Sequence, residues 1–444
     1  MSPNQSTRSS RDADNEEDDM PRAAAATPRA SPRVLKIPDG GYGWVCVLGQ
    51  FIINGFTWGV VAAYSVYLAW YLEHQIFPDA TSLDFAVVGG LNFAVAVLIA
   101  PLANLGVRSL GLRAPMLLGC VLLPAGFIAA SFAQEVWHLY LSQGFLVGMG
   151  VGLIYMPATA VIPQWFSTKR SLANGICAAG SGVGGCIMCF VTQAMLDQIN
   201  LTWSLRITAI VIFFINLLAT LLVRSRNTDV QPTERMFDYR LLRSYHVNLL
   251  LLWSFTIMFG YIALMFSLPD YALSIGVPVT DSATVAAILN LGAAVGRPAI
   301  GYASDYFGRA GTTATLTMAC SILCFAMWIP STTYASLLAF AFISGAILGV
   351  FWAAIAPLAA EVVELRDVPS LLSLTWLTVA APAVVAELIT LQIRRPGTDR
   401  VYLYPQLFSG ISYLLAAIFM LELSRSMRRS KQRLAAVSSD DEQQ

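Results

Sequence analysis

Apolar residues come in twelve long runs separated by short polar stretches. Six fall at about residues 41–70, 84–106, 113–133, 137–162, 171–196 and 203–223. After a polar interval from Arg224 to Ser244, six more fall at about 246–268, 281–303, 312–330, 334–358, 369–392 and 402–423. A run of about 20 apolar residues is long enough to cross a bilayer as a helix. In lipid only helices and closed barrels satisfy their backbone groups, and these runs lack the period-two alternation of barrel strands. The pattern predicts an all-α membrane protein with twelve transmembrane helices.

Composition agrees: 56% of residues are hydrophobic and only 12% charged, with a mean hydropathy of +0.63, whereas a soluble domain carries about 25% charged residues. The formal net charge is zero, which argues for no nucleic-acid partner. Residues 1–38 form a polar tail that cannot bury enough surface to fold alone, with no cleavable signal peptide in it. The expected layout is this disordered tail, a six-helix bundle over 39–224, a central loop over 225–244, a second bundle over 245–424 and a tail over 425–444. If the N-terminus is cytoplasmic, that side collects 22 of the 27 Lys and Arg residues. By the positive-inside rule both termini then face the cytoplasm, in what is expected to be the plasma membrane. Arg394, Arg395 and Arg400, in the last outer loop, are the exception. Asn200 opens an Asn-x-Thr glycosylation sequon close to the membrane. The seven cysteines all lie in apolar runs without zinc-ligand company, so no metal or cofactor is expected.

A repeat underlies the twelve runs. Phe145, Gly148 and Gly152 match Phe342, Gly345 and Gly349, each 197 residues later. The same offset relates Pro101 and Gly111 to Pro298 and Gly308. The chain therefore reads as two six-helix halves in parallel repeat. That plan resembles major facilitator transporters, which bind substrate near the midplane between the halves.

Within "NLGAAVGRPAIGY" (Asn290–Tyr302) a fixed charge, Arg297, interrupts an apolar helix. At a bilayer centre it costs about 2.5–3.5 kcal/mol even on the lenient scale. One reading pairs it to a helix end or to Glu387, the one acid deep in another span. The other faces it into a water-filled cavity, where it binds a carboxylate bidentately. Asn290, seven residues earlier, lies on the same face. At the end of this span, Asp305 and Arg309 are four residues apart, which alone would be an ordinary surface ion pair.

Two further motifs sharpen the resemblance. "PDGGYGWVCVLGQF" (Pro38–Phe51) carries an Asp-Gly-Gly-aromatic-Gly-Trp signature in Asp39, Gly40, Gly41, Gly43 and Trp44. "QWFSTKRSLANGICAAGSGVGG" (Gln164–Gly185) carries Phe166, Lys169, Arg170 and Gly175. Together with Gly296-Arg297-Pro298 they resemble the monocarboxylate porter family, in its fungal branch, over about residues 36–424. The resemblance implies that Arg297 holds the substrate carboxylate. It also implies that Asp305 and Arg309, with Arg108 at the equivalent first-half junction, latch neighbouring helices in one conformation. Two departures stand out. The first span has no Lys, offering Asn54, Thr57 and Tyr64 as substrate contacts instead, and the place four residues before the Arg is Ala293. Glu387 is left as the carboxylate that could carry a proton.

The function expected is secondary active transport, by alternating access, of a small organic anion or a carboxylate- or enolate-bearing metabolite. Export of a secondary metabolite is favoured over proton-linked uptake of a monocarboxylate nutrient. A metabolite-sensing receptor is the alternative from another class, and the short tails argue against it. No cluster with catalytic spacing points to an enzyme. The partners expected are the substrate, protons and the lipid bilayer, with the protein acting as a monomer.

Overall fold

A computed structural model of the chain describes residues 37–78, 80–230, 238–395, 397–398 and 400–441. The expected N-tail, except for Ile37 and Pro38, and residues 231–237 of the central loop lie outside them. Among the described residues, twelve helices are long and apolar enough to cross a membrane. The first six are α1 (Gly43–Tyr71), α2 (Val87–Leu110), α3 (Arg113–Ala130), α4 (Val136–Trp165), α5 (Arg170–Gln198) and α6 (Leu201–Leu222). The second six are α7 (Tyr245–Ser274), α8 (Thr284–Phe307), α9 (Arg309–Trp328), α10 (Tyr334–Val362), α11 (Val368–Ile393) and α12 (Leu403–Ser430).

Most boundaries lie within a few residues of the apolar runs. The last does not: its helix continues without a break from Leu403 to Asp441, so the stretch expected as a tail extends the helix. Polar residues there still find partners, as His246 Nε2 lies 2.9 Å from Ser426 Oγ. The central loop folds in part, into short helices at Asn227–Val230 and Tyr239–Arg243.

Packing follows the repeat. In the first half α1 packs on α5, α2 on α4, and α3 on α4 and α6; in the second α7 packs on α11, α8 on α10, and α9 on α10 and α12. Each contact maps onto its counterpart. The halves meet chiefly where α5 packs on α8 and, equivalently, α2 on α11. Small residues make the first of these seams close. A Cβ at Gly175 would strike the carbonyl oxygen of Arg297, and one at Gly301 would strike that of Ser171. Without a hydrophobic force between helices in lipid, such close approach is what drives their association.

Candidate functional site

Between the halves lies a cavity of about 1540 Å³, open solvent included. It runs from Asn54, Ser181 and Arg297 at its floor past Tyr64 and Leu68 of α1 and Met265 and Phe266 of α7. These lie towards the membrane face opposite the one bearing both ends of the described chain. We call the latter the terminal face and the former the far face.

Arg297 is 7% exposed and lines this cavity. Its Nη1 donates to the Ala178 carbonyl (2.6 Å) and the Ser181 hydroxyl (2.5 Å), both on α5 of the other half. The Tyr261 hydroxyl is within electrostatic reach, and Nε is buried with no hydrogen-bond partner. Gly349 makes room for the side chain, since a Cβ there would lie 2.6 Å from Nε. Among the described residues no carboxylate pairs with Arg297 within 4 Å. Glu387 lines the same cavity, half-buried on α11, but forms no ion pair with Arg297; it also borders a small cleft with Asp270, Arg394 and Tyr402. The pairing of Arg297 with Glu387 is therefore ruled out in this conformation.

The other expected contacts divide. Asn54, Tyr64 and Asn290 line the cavity. Tyr64 donates to the Phe85 carbonyl (2.9 Å), and the amides of Asn54 and Asn290 donate to carbonyls of their own helices. Thr57 does not belong with them: it is fully buried and its hydroxyl donates to the Ile53 carbonyl at 2.6 Å. The helical stretch Gly43–Phe56 ends there and a new one starts at Trp58, so uninterrupted helical spacing misplaces the residue.

Sequence reasoning missed the aromatic floor. Trp58 packs on Phe93 (5.1 Å between ring centroids), Tyr155 (5.6 Å) and, across the halves, Trp352 (5.8 Å). Trp352 stacks on Trp376 at 5.7 Å. Polar Asn92, Gln143 and Ser181 also line the cavity, and the Asn92 and Gln143 side-chain oxygens are buried without partners. The one available signal was that these residues interrupt apolar runs.

Towards the terminal face the halves are closed twice. At the α5–α8 seam, Asp305 accepts the backbone N–H groups of Ser171 (3.0 Å) and Leu172 (2.8 Å) in the first turn of α5. A carboxylate there satisfies free N–H groups and the helix dipole together. Arg309 pairs with Asp305 (3.1 Å) and Glu361 (3.2 Å), and donates to Ser171 Oγ and the Ser167 carbonyl. Glu361 went unnoticed in the sequence because it lies at the end of an apolar run. At the α2–α11 seam, Arg108 Nη2 donates to Ser370 Oγ (2.9 Å) and Asn104 Nδ2 to Ser373 Oγ (3.3 Å). Arg108 Nε and Nη1 are buried and make no hydrogen bond.

The two sequence signatures form one clasp on this face. Asp39 accepts the backbone N–H groups of Ser167 and Thr168. Burial tends to raise the Asp39 pKa, but these N–H donors outweigh it and hold the carboxyl below its usual value. Gly41 is left-handed (φ 61°), which glycine adopts without strain. A Cβ at Gly43 would lie 3.0 Å from the Phe166 ring, and Trp44 meets that ring edge-on at 5.0 Å. Arg170 is buried, its Nε donating to the Phe166 carbonyl, while Lys169 is exposed. The first motif and the opening residues of the second, Phe166 to Arg170, thus shape the chain around the start of α5, while the later part of the second reaches the cavity floor at Ser181. On the far face Asn200 caps α6, its side chain accepting the Trp203 N–H at 2.8 Å. Arg394 and Arg395, out of place by charge, are held at the start of α12: Arg394 donates to Tyr402 Oη (3.0 Å) and Arg395 lies over the Tyr404 ring.

The Major Facilitator Superfamily model matches residues 45–386. The chain is 34% identical over 385 residues to the probable transporter MCH2 of Saccharomyces cerevisiae, covering 85% of this chain and 81% of that one. It is 36% identical over 163 residues to mouse monocarboxylate transporter 12, covering 37% of this chain and 33% of the mouse protein. Among solved structures, the Escherichia coli fucose:proton symporter FucP superposes with a TM-score of 0.65 at 16% identity, covering 86% of this chain and 98% of that one.

Proposed function

The chain belongs to the major facilitator superfamily, and we propose that it moves an organic anion with a bulky apolar body across the membrane by alternating access. One observation carries this reading: a guanidinium on the floor of a central cavity, held by a carbonyl and a hydroxyl and paired with no carboxylate among the described residues. Its cost in lipid is offset when a cargo carboxylate takes the bidentate place. The name of the mouse relative points to the same class. A wall of Trp58, Tyr64, Phe93, Tyr261 and Trp352 suits a larger apolar body than a three-carbon acid offers, which favours export of an amphiphilic metabolite over uptake of a small nutrient.

Placing the terminal face in the cytoplasm, as the Lys and Arg distribution favours, makes this the outward-open state. Asp305 and Arg309 then act as the latch of the closed inner side, while Arg108, at the equivalent seam, closes it only through the Ser370 hydroxyl. Asn54, Tyr64 and Asn290 contact the cargo, and Glu387, on the cavity wall, takes up the coupled proton. Counterflow of labelled monocarboxylates into vesicles bearing the purified protein tests the core of this. Arg297→Gln is expected to insert normally and lose flux at least a hundredfold, and wild-type flux in that variant removes Arg297 from the mechanism. Glu387→Gln is expected to flatten the pH dependence of flux. An unchanged profile removes the proton role while leaving the cargo site intact.

A further inference from the structure

Beneath the aromatic floor lies a second, smaller cavity of about 510 Å³, open solvent included. It sits at the α2–α11 seam, walled by Arg108 and Asn104 of α2, Gln164 of α4, Asn227 of the central loop, and Ser373 and Trp376 of α11. The two cavities share a partition. Trp352 lines the upper one, Trp376 lines the lower one, and their indoles stack on each other. Trp376 is 1% exposed and its indole N–H finds no hydrogen-bond partner among the described residues. Arg108 leaves Nε and Nη1 equally unsatisfied. Asp367, the N-cap of α11, is the acid within electrostatic reach of Arg108, and Arg366 also approaches it, at 3.9 Å.

A buried donor without an acceptor is unfavourable, and here two side chains that carry such donors, on two helices, line one pocket on the side of the partition away from Arg297. We infer that Arg108 and Trp376 form a second carboxylate subsite, a release station that takes the cargo headgroup from Arg297 once the indole partition parts. This rests on the cargo reading above. Its chemistry is that of the first site: a fork of guanidinium N–H groups for a carboxylate, joined by one indole N–H. When the α2–α11 seam opens, Arg108 loses Ser370 and its N–H groups face the new opening.

The test uses the full-length protein in vesicles of uniform orientation, with labelled 4-phenylbutyrate, a monocarboxylate with an apolar body, as probe. The readout is the half-saturating concentration at each face. Arg108→Gln is expected to raise the terminal-face to far-face ratio about tenfold, and Arg108→Lys, which keeps charge but loses the fork, by a smaller factor. Trp376→Phe, which keeps the stacked ring but removes the donor, is expected to raise the ratio about threefold. An unchanged ratio in all three variants overturns the subsite. So does a loss of rate equal at both faces, which a purely mechanical seam residue would give. If flux survives Arg297→Gln, the cargo reading itself has failed; if Arg297→Gln abolishes flux and Arg108→Gln shifts neither face, only the release station has.

Discussion

The two closures of the terminal face occupy equivalent places in the repeat and are built with opposite signs. Arg108 and Asp305 are 197 residues apart, as are Arg170 and Asp367. At the α5–α8 seam the acid reaches across the halves and lands on two free N–H groups of a helix start. At the α2–α11 seam the acid belongs to the helix start itself, as its N-cap. What crosses there is Arg108, which meets a neutral hydroxyl and leaves two donors stranded. Charge-assisted bonds to backbone N–H groups contribute about 1.5–3 kcal/mol each, whereas each stranded buried donor costs about 1–3 kcal/mol. The first seam is therefore expected to hold this state shut, and the second to be where opening begins.

The largest effect that can break this contrast is at Asp305. Asp305→Asn keeps the shape but weakens both N–H contacts and leaves Arg309 with Glu361 as its ion partner. Losing the charge from such contacts costs about 1.5–3 kcal/mol. Spin labels at Ile76 and Gly276, on the far-face ends of the two halves, should report the open-outward population falling ten- to a hundredfold. An unshifted distance distribution would mean that the α5–α8 seam holds nothing.

Next comes the seam at the level of the cargo site. Gly175→Ala places a methyl against the Arg297 carbonyl oxygen, an overpacking that costs about 1–3 kcal/mol. It should impair closure and displace Arg297, lowering flux about tenfold. Gly148→Ala is the control, because its Cβ would meet Val95 and the backbone of Asn92 inside the first half. It should lower thermal stability and leave the state populations unchanged. Equal population shifts in both variants would dissolve the distinction between seam and scaffold.

A change of opposite sign is expected at the weaker seam. Arg108→Leu deletes the stranded donors and should strengthen closure by about 1 kcal/mol, raising the outward-open population in the same labelled pair about fivefold. A neutral substitution at one of two equivalent positions would then open the protein and at the other tighten it. A drop in the outward-open population would make Arg108 a latch of the same kind as Asp305.

Much of this plan was legible in the sequence, and the limits have physical causes. The twelve spans were readable because bilayer thickness forces apolar runs of about 20 residues. Arg297 was readable because a lone charge in such a run needs an explanation. Which face of each helix meets the cavity was not readable, because it depends on packing between helices far apart in sequence. Trp352 and Trp376 look like any apolar residue until α10 and α11 are placed side by side. Thr57 failed for a local reason, the helix break at that very residue, and the C-terminal stretch failed because helix can outlast hydrophobicity.

The smallest effect tests whether the signature clasp supports the stronger seam. Ser167 serves both: its N–H donates to Asp39, and its carbonyl accepts from Arg309. Asp39→Asn removes the charge from the clasp and should lower stability at neutral pH by about 1 kcal/mol. The sign with pH follows from the depressed Asp39 pKa. Its stabilisation is complete above the unfolded carboxylate value of about 3.9 and fades as pH falls towards the folded value. The wild type should therefore lose its advantage over the variant only in acid, as thermal melts would report. If clasp and latch act through Ser167 as one unit, the population shifts of Asp39→Asn and Asp305→Asn will not add. A coupling of about 0.5–1 kcal/mol is expected in the double variant. Strict additivity would show that the signature braces α1 alone and leaves the seam to Asp305.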